Sequence, residues 1–218
     1  MKARFLLPDV VAVCAVVTFT LATIPAAAQI LYNDGPINGT VDAWTISSGF
    51  LVGDSFTVST GTSTITGLSF GAWLFPGDVL TSVDVWISSE GGGGTTYFNE
   101  TVNFTASGCS ANQYGFNVCD ETGTFHGPTL SDGTYWVNLS NASVPDGDPV
   151  YWDENSGIGC TSPGCPSETY MPAGTIPAES FTVLGTGSGT GTVPEPGILV
   201  LFASGALALG GILRRKVL

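Results

Sequence analysis

The sequence predicts an all-β fold for residues 29–184, an antiparallel β-sandwich that is jelly-roll-like. No stretch in this range shows apolar residues at helical spacing. Short runs rich in valine, isoleucine, threonine and aromatic residues recur instead, separated by glycine, proline, asparagine and aspartate. Many short runs of this kind in one domain-sized segment are typical of sandwiches and barrels.

The expected strands follow one another with turn sequences in the gaps. Asp34-Gly35-Pro36 and Ser131-Asp132-Gly133 are turns of this kind, because glycine and proline supply the backbone angles that tight turns require. We expect strands at residues 41–47, 55–59, 63–75, 82–88, 95–106, 113–119, 134–140, 149–153 and 179–184.

Two of these strands place a tryptophan on their polar face. Side chains alternate along a strand, so the aliphatic positions of residues 82–88 and 134–140 face the core, whereas Trp86 and Trp136 face outward. Outward aromatic rings with polar neighbours are suited to stacking on sugar rings, so Trp86, Trp136 and Trp152 are candidate sugar-stacking residues. The alternative is that a loop or strand covers these rings. The expected core residues are Val83, Val85, Ile87, Tyr135, Val137 and Leu139.

The charge of the predicted body is strongly negative. All five basic residues lie at the two ends of the chain, and sixteen of the eighteen acidic residues lie between residues 29 and 193. Such a surface repels nucleic acid and anionic lipid, so we expect no nucleic-acid partner. Without lysine or arginine, the body depends on apolar packing, sheet hydrogen bonds, disulfides or bound cations.

An acidic segment offers oxygen ligands for a hard cation. Asp146, Asp148, Asp153 and Glu154 are candidate calcium ligands, because calcium takes six to eight oxygens and the net charge favours it. No EF-hand pattern is present, and a solvated acidic loop is the alternative reading.

Four cysteines lie in the body of the chain, and an even number in an exported domain favours two disulfides. Three connectivities are open. We expect nearest neighbours to pair, Cys109 with Cys119 and Cys160 with Cys165, because each pair closes a short loop rich in turn residues. A zinc site is the rival, although the spacing lacks a close cysteine pair and a histidine partner.

Catalytic motifs are missing from the sequence. There is no nucleophile elbow, zinc-protease motif or phosphate loop, and His126 has no evident partner. We therefore expect a non-catalytic protein with no cofactor. The alternative is a carboxylate-dependent glycoside hydrolase or another secreted enzyme, since glycoside hydrolysis needs only two suitably spaced acids.

The N-terminus has the layout of a secretory signal peptide, residues 1–28. Lys2 and Arg4 form its charged region, an apolar segment follows at residues 10–22, and small residues at 26–28 supply a cleavage site. The mature chain then begins at Gln29.

The C-terminus has three parts after a Gly/Thr/Ser-rich tether at residues 185–193. Pro194, Glu195 and Pro196 form an extended segment, because two prolines in three residues oppose a helix. An apolar run at residues 198–213 follows, and as a helix it would span about 24 Å, enough for a short transmembrane anchor. The basic cluster Arg214, Arg215 and Lys216 would then stay on the cytoplasmic side.

This order of motif, apolar helix and basic cluster over residues 194–218 resembles the PEP-CTERM sorting signal of Gram-negative bacteria. The resemblance implies an exosortase as partner, which recognises the Pro194–Pro196 motif after export across the inner membrane. It also implies anchoring by the helix before processing, then release to the cell surface or the extracellular space. A GPI signal is the competitor, but it normally ends in its apolar tail.

The resemblance also implies company with exopolysaccharide and biofilm machinery, and we expect extracellular polysaccharide as a partner of the body. Some proteins with this signal are ice-binding. That reading is a further alternative, although residues 60–66 form only one irregular threonine patch.

Overall fold

The computed structural model describes residues 28–59, 61–155, 167–170 and 173–187. Every regular element within these ranges is a β-strand, and all strand pairs are antiparallel. The strands are β1 (Gln29–Asn33), β2 (Ala43–Thr45), β3 (Leu51–Val58), β4 (Ser63–Leu74), β5 (Ser82–Glu90), β6 (Gly93–Ala111), β7 (Asn117–Thr124), β8 (Thr129–Leu130), β9 (Gly133–Ser143), β10 (Tyr151–Asp153), β11 (Ser167–Tyr170), β12 (Ala173–Ile176) and β13 (Phe181–Gly187).

The strands form one curled sheet in the order β1-β13-β4-β7-β6-β5-β9-β3-β11-β12. The short strands β8 and β10 pair with β4, and β2 pairs with β10. Strand β6 joins the two halves of the sheet, because its first part pairs with β5 and its last part with β7. We call the β1-β13-β4-β7 side the A half and the β5-β9-β3 side the B half.

The two halves share one hydrophobic core. Phe70 and Phe181 enter it from the A half, and Phe56 and Val85 enter it from the B half; all four are almost fully buried. The ring of Tyr32 on β1 lies 6.3 Å from that of Phe56 and 5.6 Å from that of Phe181, so it packs across the gap. Each fully buried side chain of this size contributes roughly 1.5–3 kcal/mol, which makes this core the main source of stability.

The prediction of an all-β antiparallel fold is confirmed, with the strands in one curled sheet that forms a half-barrel. The finer prediction of a jelly-roll-like sandwich stays a prediction. The alternation argument also holds, because Val83, Val85, Ile87, Val137 and Leu139 are buried. Tyr135 is partly buried and packs against this core.

The prediction was wrong about where β6 ends and β7 begins. Strand β6 runs to Ala111, and of the residues expected in a strand at 113–119, residues 113–116 form a turn and only residues 117–119 lie in β7. The Asn112 side-chain oxygen accepts hydrogen bonds from the backbone N–H groups of Tyr114 and Phe116, both at 3.0 Å. Gly115 then adopts a φ of 89°, which favours glycine. These local bonds stop the strand.

The expected tether also begins later than predicted. Strand β13 continues through Gly187, because Thr186 and Gly187 pair with Thr64 and Ser63 of β4. The glycine-rich residues 185–187 therefore belong to the sheet rather than to a flexible linker.

The disulfide between Cys109 and Cys119 is present and joins register partners on β6 and β7. Cys119 is buried, so the bridge ties the long β6 strand to the core side of β7. The other expected pair, Cys160 and Cys165, lies outside the described residues.

Targeting segments lie largely outside the described residues as well. This holds for residues 1–27 of the signal peptide, the tether at 188–193, the motif Pro194–Pro196, the apolar run 198–213 and the basic residues 214–216. Within the part of the chain that the structure describes, no helix is long and apolar enough to span a bilayer.

Two of the buried glutamates, Glu121 and Glu179, have carboxyl oxygens without a hydrogen-bond partner among the described residues. Glu121 on β7 is 1% exposed, and burial, with the nearby charge of Asp120, raises its pKa to about 7. Glu179 is fully buried, and neither of its carboxyl oxygens has a hydrogen-bond partner in the part of the chain that the structure describes. Burial raises the pKa of Glu179 well above its usual range, and the charges of Asp54 and Glu154 act in the same direction. The folded protein therefore favours the protonated form of both side chains.

We predict that replacing both Cys109 and Cys119 by alanine lowers the free energy of unfolding by about 2–3 kcal/mol, because the ten-residue crosslink restricts the unfolded chain. Urea unfolding of the oxidised protein measures the change. The control is the same comparison of wild type and variant in a reducing buffer, where the contribution of the crosslink should disappear. An unchanged midpoint for the Cys109/Cys119 variant would contradict a stabilising bridge.

We predict that the protein loses stability as the pH rises from 4.5 to above 7. Unfolded Glu121 releases its proton near pH 4.5, whereas the folded form holds it to about pH 7. The stabilising contribution is thus complete below pH 4.5 and lost above pH 7. Glu121→Gln should flatten the curve of unfolding free energy against pH by on the order of 1–3 kcal/mol.

The matched control for Glu121→Gln is Glu100→Gln, which changes an exposed glutamate on β6. Parallel pH curves for Glu121→Gln and the wild type would show that Glu121 does not hold its proton in the folded state.

Candidate functional site

Trp86 and Trp136 lie on the same outer face of the B half. In the β5–β9 pair, Ser88 is opposite Trp136 and Trp86 is opposite Asn138, so the two tryptophans are diagonal neighbours. Diagonal neighbours in an antiparallel pair are roughly 7–8 Å apart. Both tryptophans are half-buried, and the indole N–H of Trp86 donates to Thr96 Oγ1 at 3.1 Å. The sequence prediction of their face is correct.

A buried polar pair separates the two rings. Asn138 Nδ2 donates to Ser88 Oγ at 2.8 Å, and Asn138 Oδ1 accepts from the backbone N–H of Gly92 at 2.7 Å. These bonds hold the β5–β6 turn against the face, which explains why Asn138 and Ser88 are buried although they point outward. The tryptophans therefore stand on a rigid, hydrogen-bonded surface.

Trp152 does not belong to this face, and its assignment as a stacking residue is wrong. It is fully buried, its ring packs edge-on against Phe70 and Phe181, and its indole N–H donates to the backbone oxygen of Ser180 at 3.0 Å. Strand β10 lies between β2 and β4, which turns Trp152 toward the core. Strand β10 has only three residues, so the alternation of its side chains was too short to predict that Trp152 is buried.

The Asp153 carboxylate is buried and accepts four hydrogen bonds. One oxygen accepts from Trp73 Nε1 at 2.6 Å and from the backbone N–H of Gly39 at 3.0 Å. The other accepts from the backbone N–H of Asn38 at 3.0 Å and from Ser180 Oγ at 3.1 Å. Burial raises the pKa of Asp153, whereas these four donors oppose the rise. With its oxygens occupied in this way, Asp153 has a structural role rather than the predicted calcium-binding one.

The other predicted calcium ligands separate into two places. Glu154 is buried and accepts the indole N–H of Trp44 at 2.7 Å, so it too holds the fold. Asp146 and Asp148 instead converge with Asp78, whose position in the sequence gave no signal, and their carboxylate oxygens lie within 4.8 Å of one another. Burial and these two acidic neighbours raise the pKa of Asp78. Calcium binding by Asp146 and Asp148 stays a prediction.

A polar groove of about 770 Å³ opens on the outer face of the A half. Its floor is formed by strands β4, β7 and β13, and its two walls are the loop 35–40 and the β6–β7 tip at 108–113. Its lining includes glycine, asparagine, glutamine, serine and threonine, with Asp120 as the one acid among the described lining residues. Apolar surface is added by Pro36, Ile37, Ala111, Val118 and Phe181. Sequence reasoning missed this groove because its parts lie far apart in the chain.

The comparisons with known proteins concern the end of the chain. Residues 192–216 match the PEP-CTERM protein-sorting motif. No significant match was found among curated proteins or solved structures. The match covers the tail only, and the family of the β-rich body is not identified by it. The chain therefore carries a PEP-CTERM sorting motif, which implies export and recognition of this tail by an exosortase.

Proposed function

We propose that this protein is a non-catalytic surface protein that associates with extracellular polysaccharide through the face carrying Trp86 and Trp136. The sorting motif supports delivery of the β-rich body outside the cell. The observation that carries the proposal is the pair of half-buried indoles on one outer, polar sheet face.

The surroundings of the two indoles support sugar stacking. Large aromatic side chains with polar neighbours combine apolar contact area with hydrogen bonding. Hydrogen-bonding side chains continue across the face, where Asp84 accepts from Thr101 Oγ1 at 2.5 Å and from Asn141 Nδ2 at 2.8 Å. A sugar ring on an indole could therefore find hydroxyl, amide and carboxylate partners on the same surface.

The charge of the body supports a neutral polymer as the partner. No lysine or arginine occurs between residues 5 and 213, so an anionic polymer would meet repulsion without a compensating contact. Stacking and neutral hydrogen bonds need no basic side chain. An acidic polymer would require a bridging divalent cation.

The alternative, a carboxylate-dependent glycoside hydrolase, has less support from the described residues. Such an enzyme uses two acids about 5–9.5 Å apart on either side of the bond that is cleaved. Asp120 is the one carboxylate lining the groove, and two serine hydroxyls already donate to it. Release of sugar products from a polysaccharide panel would favour the hydrolase over a binding role.

We also propose that the C-terminal helix at residues 198–213 anchors the exported chain until an exosortase processes it near Pro194–Pro196. The expected result is a surface form whose intact mass corresponds to a chain that begins at Gln29 and lacks residues 214–218. Glu195→Ala should leave the tail in place and the protein in the membrane fraction. Asp146→Asn, a change in the body, is the control and should be processed normally. A surface form that keeps Arg214 in cells with an active exosortase would contradict processing.

We predict that Trp86→Ala and Trp136→Ala each weaken binding to a neutral polysaccharide at least about 5-fold, the equivalent of about 1 kcal/mol per ring. Affinity electrophoresis or titration of the full chain measures the loss. The control is Ile30→Ala, which removes an apolar side chain, 63% exposed, from the A half. Equal affinity in both tryptophan variants and the wild type would remove the basis of this face as a binding surface.

A further inference from the structure

The groove lies at one end of strand β13. Phe181 and Thr182, at the start of β13, line the groove, whereas Gly187 is the last residue of the strand. The six residue steps between Phe181 and Gly187 extend about 20 Å. The groove therefore lies at the opposite end of β13 from Gly187.

The floor of the groove carries a row of polar side chains that follows the order of the strands. Asn33 Nδ2 on β1 donates to Thr182 Oγ1 on β13 at 3.2 Å, and Thr182 is the register partner of Ser69 on β4. Ser69 Oγ donates to Asp120 on β7 at 2.5 Å, and Ser107 Oγ on β6 donates to the other oxygen of Asp120 at 3.0 Å. Asn33, Thr182, Ser69 and Asp120 line the groove, and Ser107 lies beside it, so the lining part of the row crosses four adjacent strands over roughly 14 Å.

The loop wall of the groove is held in place before any ligand arrives. The Asp153 carboxylate binds the backbone of Asn38 and Gly39, as described above. The far end of the loop is tied to the other wall, because Tyr114 Oη donates to the backbone oxygen of Thr40 at 3.3 Å. A preformed groove of this kind avoids part of the entropy cost of ordering a loop on binding.

The chemistry of the lining points to a neutral ligand rich in hydroxyl groups. Asparagine, serine and threonine side chains offer both donors and acceptors, as sugar hydroxyls do. Asp120 adds an acceptor, and the body offers no lysine or arginine to an anion. We propose that this groove is a second binding site, for a segment of a neutral oligosaccharide chain.

This site depends on the proposed function for its class of ligand but not for its location, since the groove lies on the A half and the tryptophan face on the B half. The two surfaces can therefore fail separately.

One glycine in β6 allows a direct test of the groove. A Cβ built at Gly108 meets no atom within 4 Å, and this glycine does not have a φ in the left-handed region. Gly108 lines the groove, so Gly108→Trp places an indole there. The control is Val79→Trp, which adds the same side chain at a position that is 62% exposed and does not line the groove.

The experiment titrates the full chain in detergent with cellohexaose, maltohexaose and mannohexaose as neutral probes, and with hexagalacturonate as the anionic one. For a neutral probe that binds, Gly108→Trp should reduce the affinity at least 10-fold, and Asp120→Asn should reduce it by a smaller factor. Val79→Trp should bind like the wild type, and hexagalacturonate should bind none of the proteins.

Hydrogen exchange of the wild type with the same probe is the second measurement, and it does not depend on any variant folding. Protection at residues 33–40 and 108–113 is the expected result. Unchanged affinity in Gly108→Trp, together with protection confined to β5 and β9, would overturn the groove and leave the tryptophan face intact. Loss in Gly108→Trp with full binding by Trp86→Ala and Trp136→Ala would support the groove and overturn the face. No binding of any neutral probe would overturn both.

Discussion

The buried Asp153 carboxylate organises the described structure around it. Its four donors come from the loop before β2, from β4 and from the segment before β13, so one side chain connects parts that are distant in the sequence. A buried carboxylate is costly unless donors satisfy it. Because no basic side chain is at hand, backbone N–H groups, an indole and a hydroxyl take that role. The loop wall of the groove is a direct product of this arrangement.

The lack of basic residues shapes the rest of the body in the same way. Glu154 is satisfied by an indole, and Glu121 and Glu179 keep a proton more readily than exposed glutamates do. Such a body is best suited to conditions that are not alkaline, because each buried carboxyl costs more free energy once it ionises. The same composition selects among ligands, since neutral hydroxyl-rich chains meet donors and acceptors while anionic chains meet repulsion.

The long strand β6 decides where the two candidate binding surfaces lie. It pairs with β5 along its first part and with β7 along its last part, so the sheet curls and its two halves face each other across one core. The outer faces of the two halves are consequently separate surfaces. One carries the diagonal pair Trp86 and Trp136, and the other carries the groove. A polymer could contact either surface of the body without competing for the other.

The sequence by itself determined the features that depend on neighbouring residues. Period-two alternation placed Val85 and Ile87 in the core and Trp86 outside, because adjacent side chains in a strand point to opposite faces. The cysteines of one short loop pair as expected, and the sorting motif is legible because it is a continuous segment. The tertiary structure alone decided that Trp152 is buried and that Asp153 binds the loop instead of calcium. It alone also assembled the groove from residues near 35, 110 and 182. These outcomes depend on which strands become neighbours in the sheet, and long-range strand pairing determines those neighbours. Local alternation determines only the face of the strand on which each side chain lies.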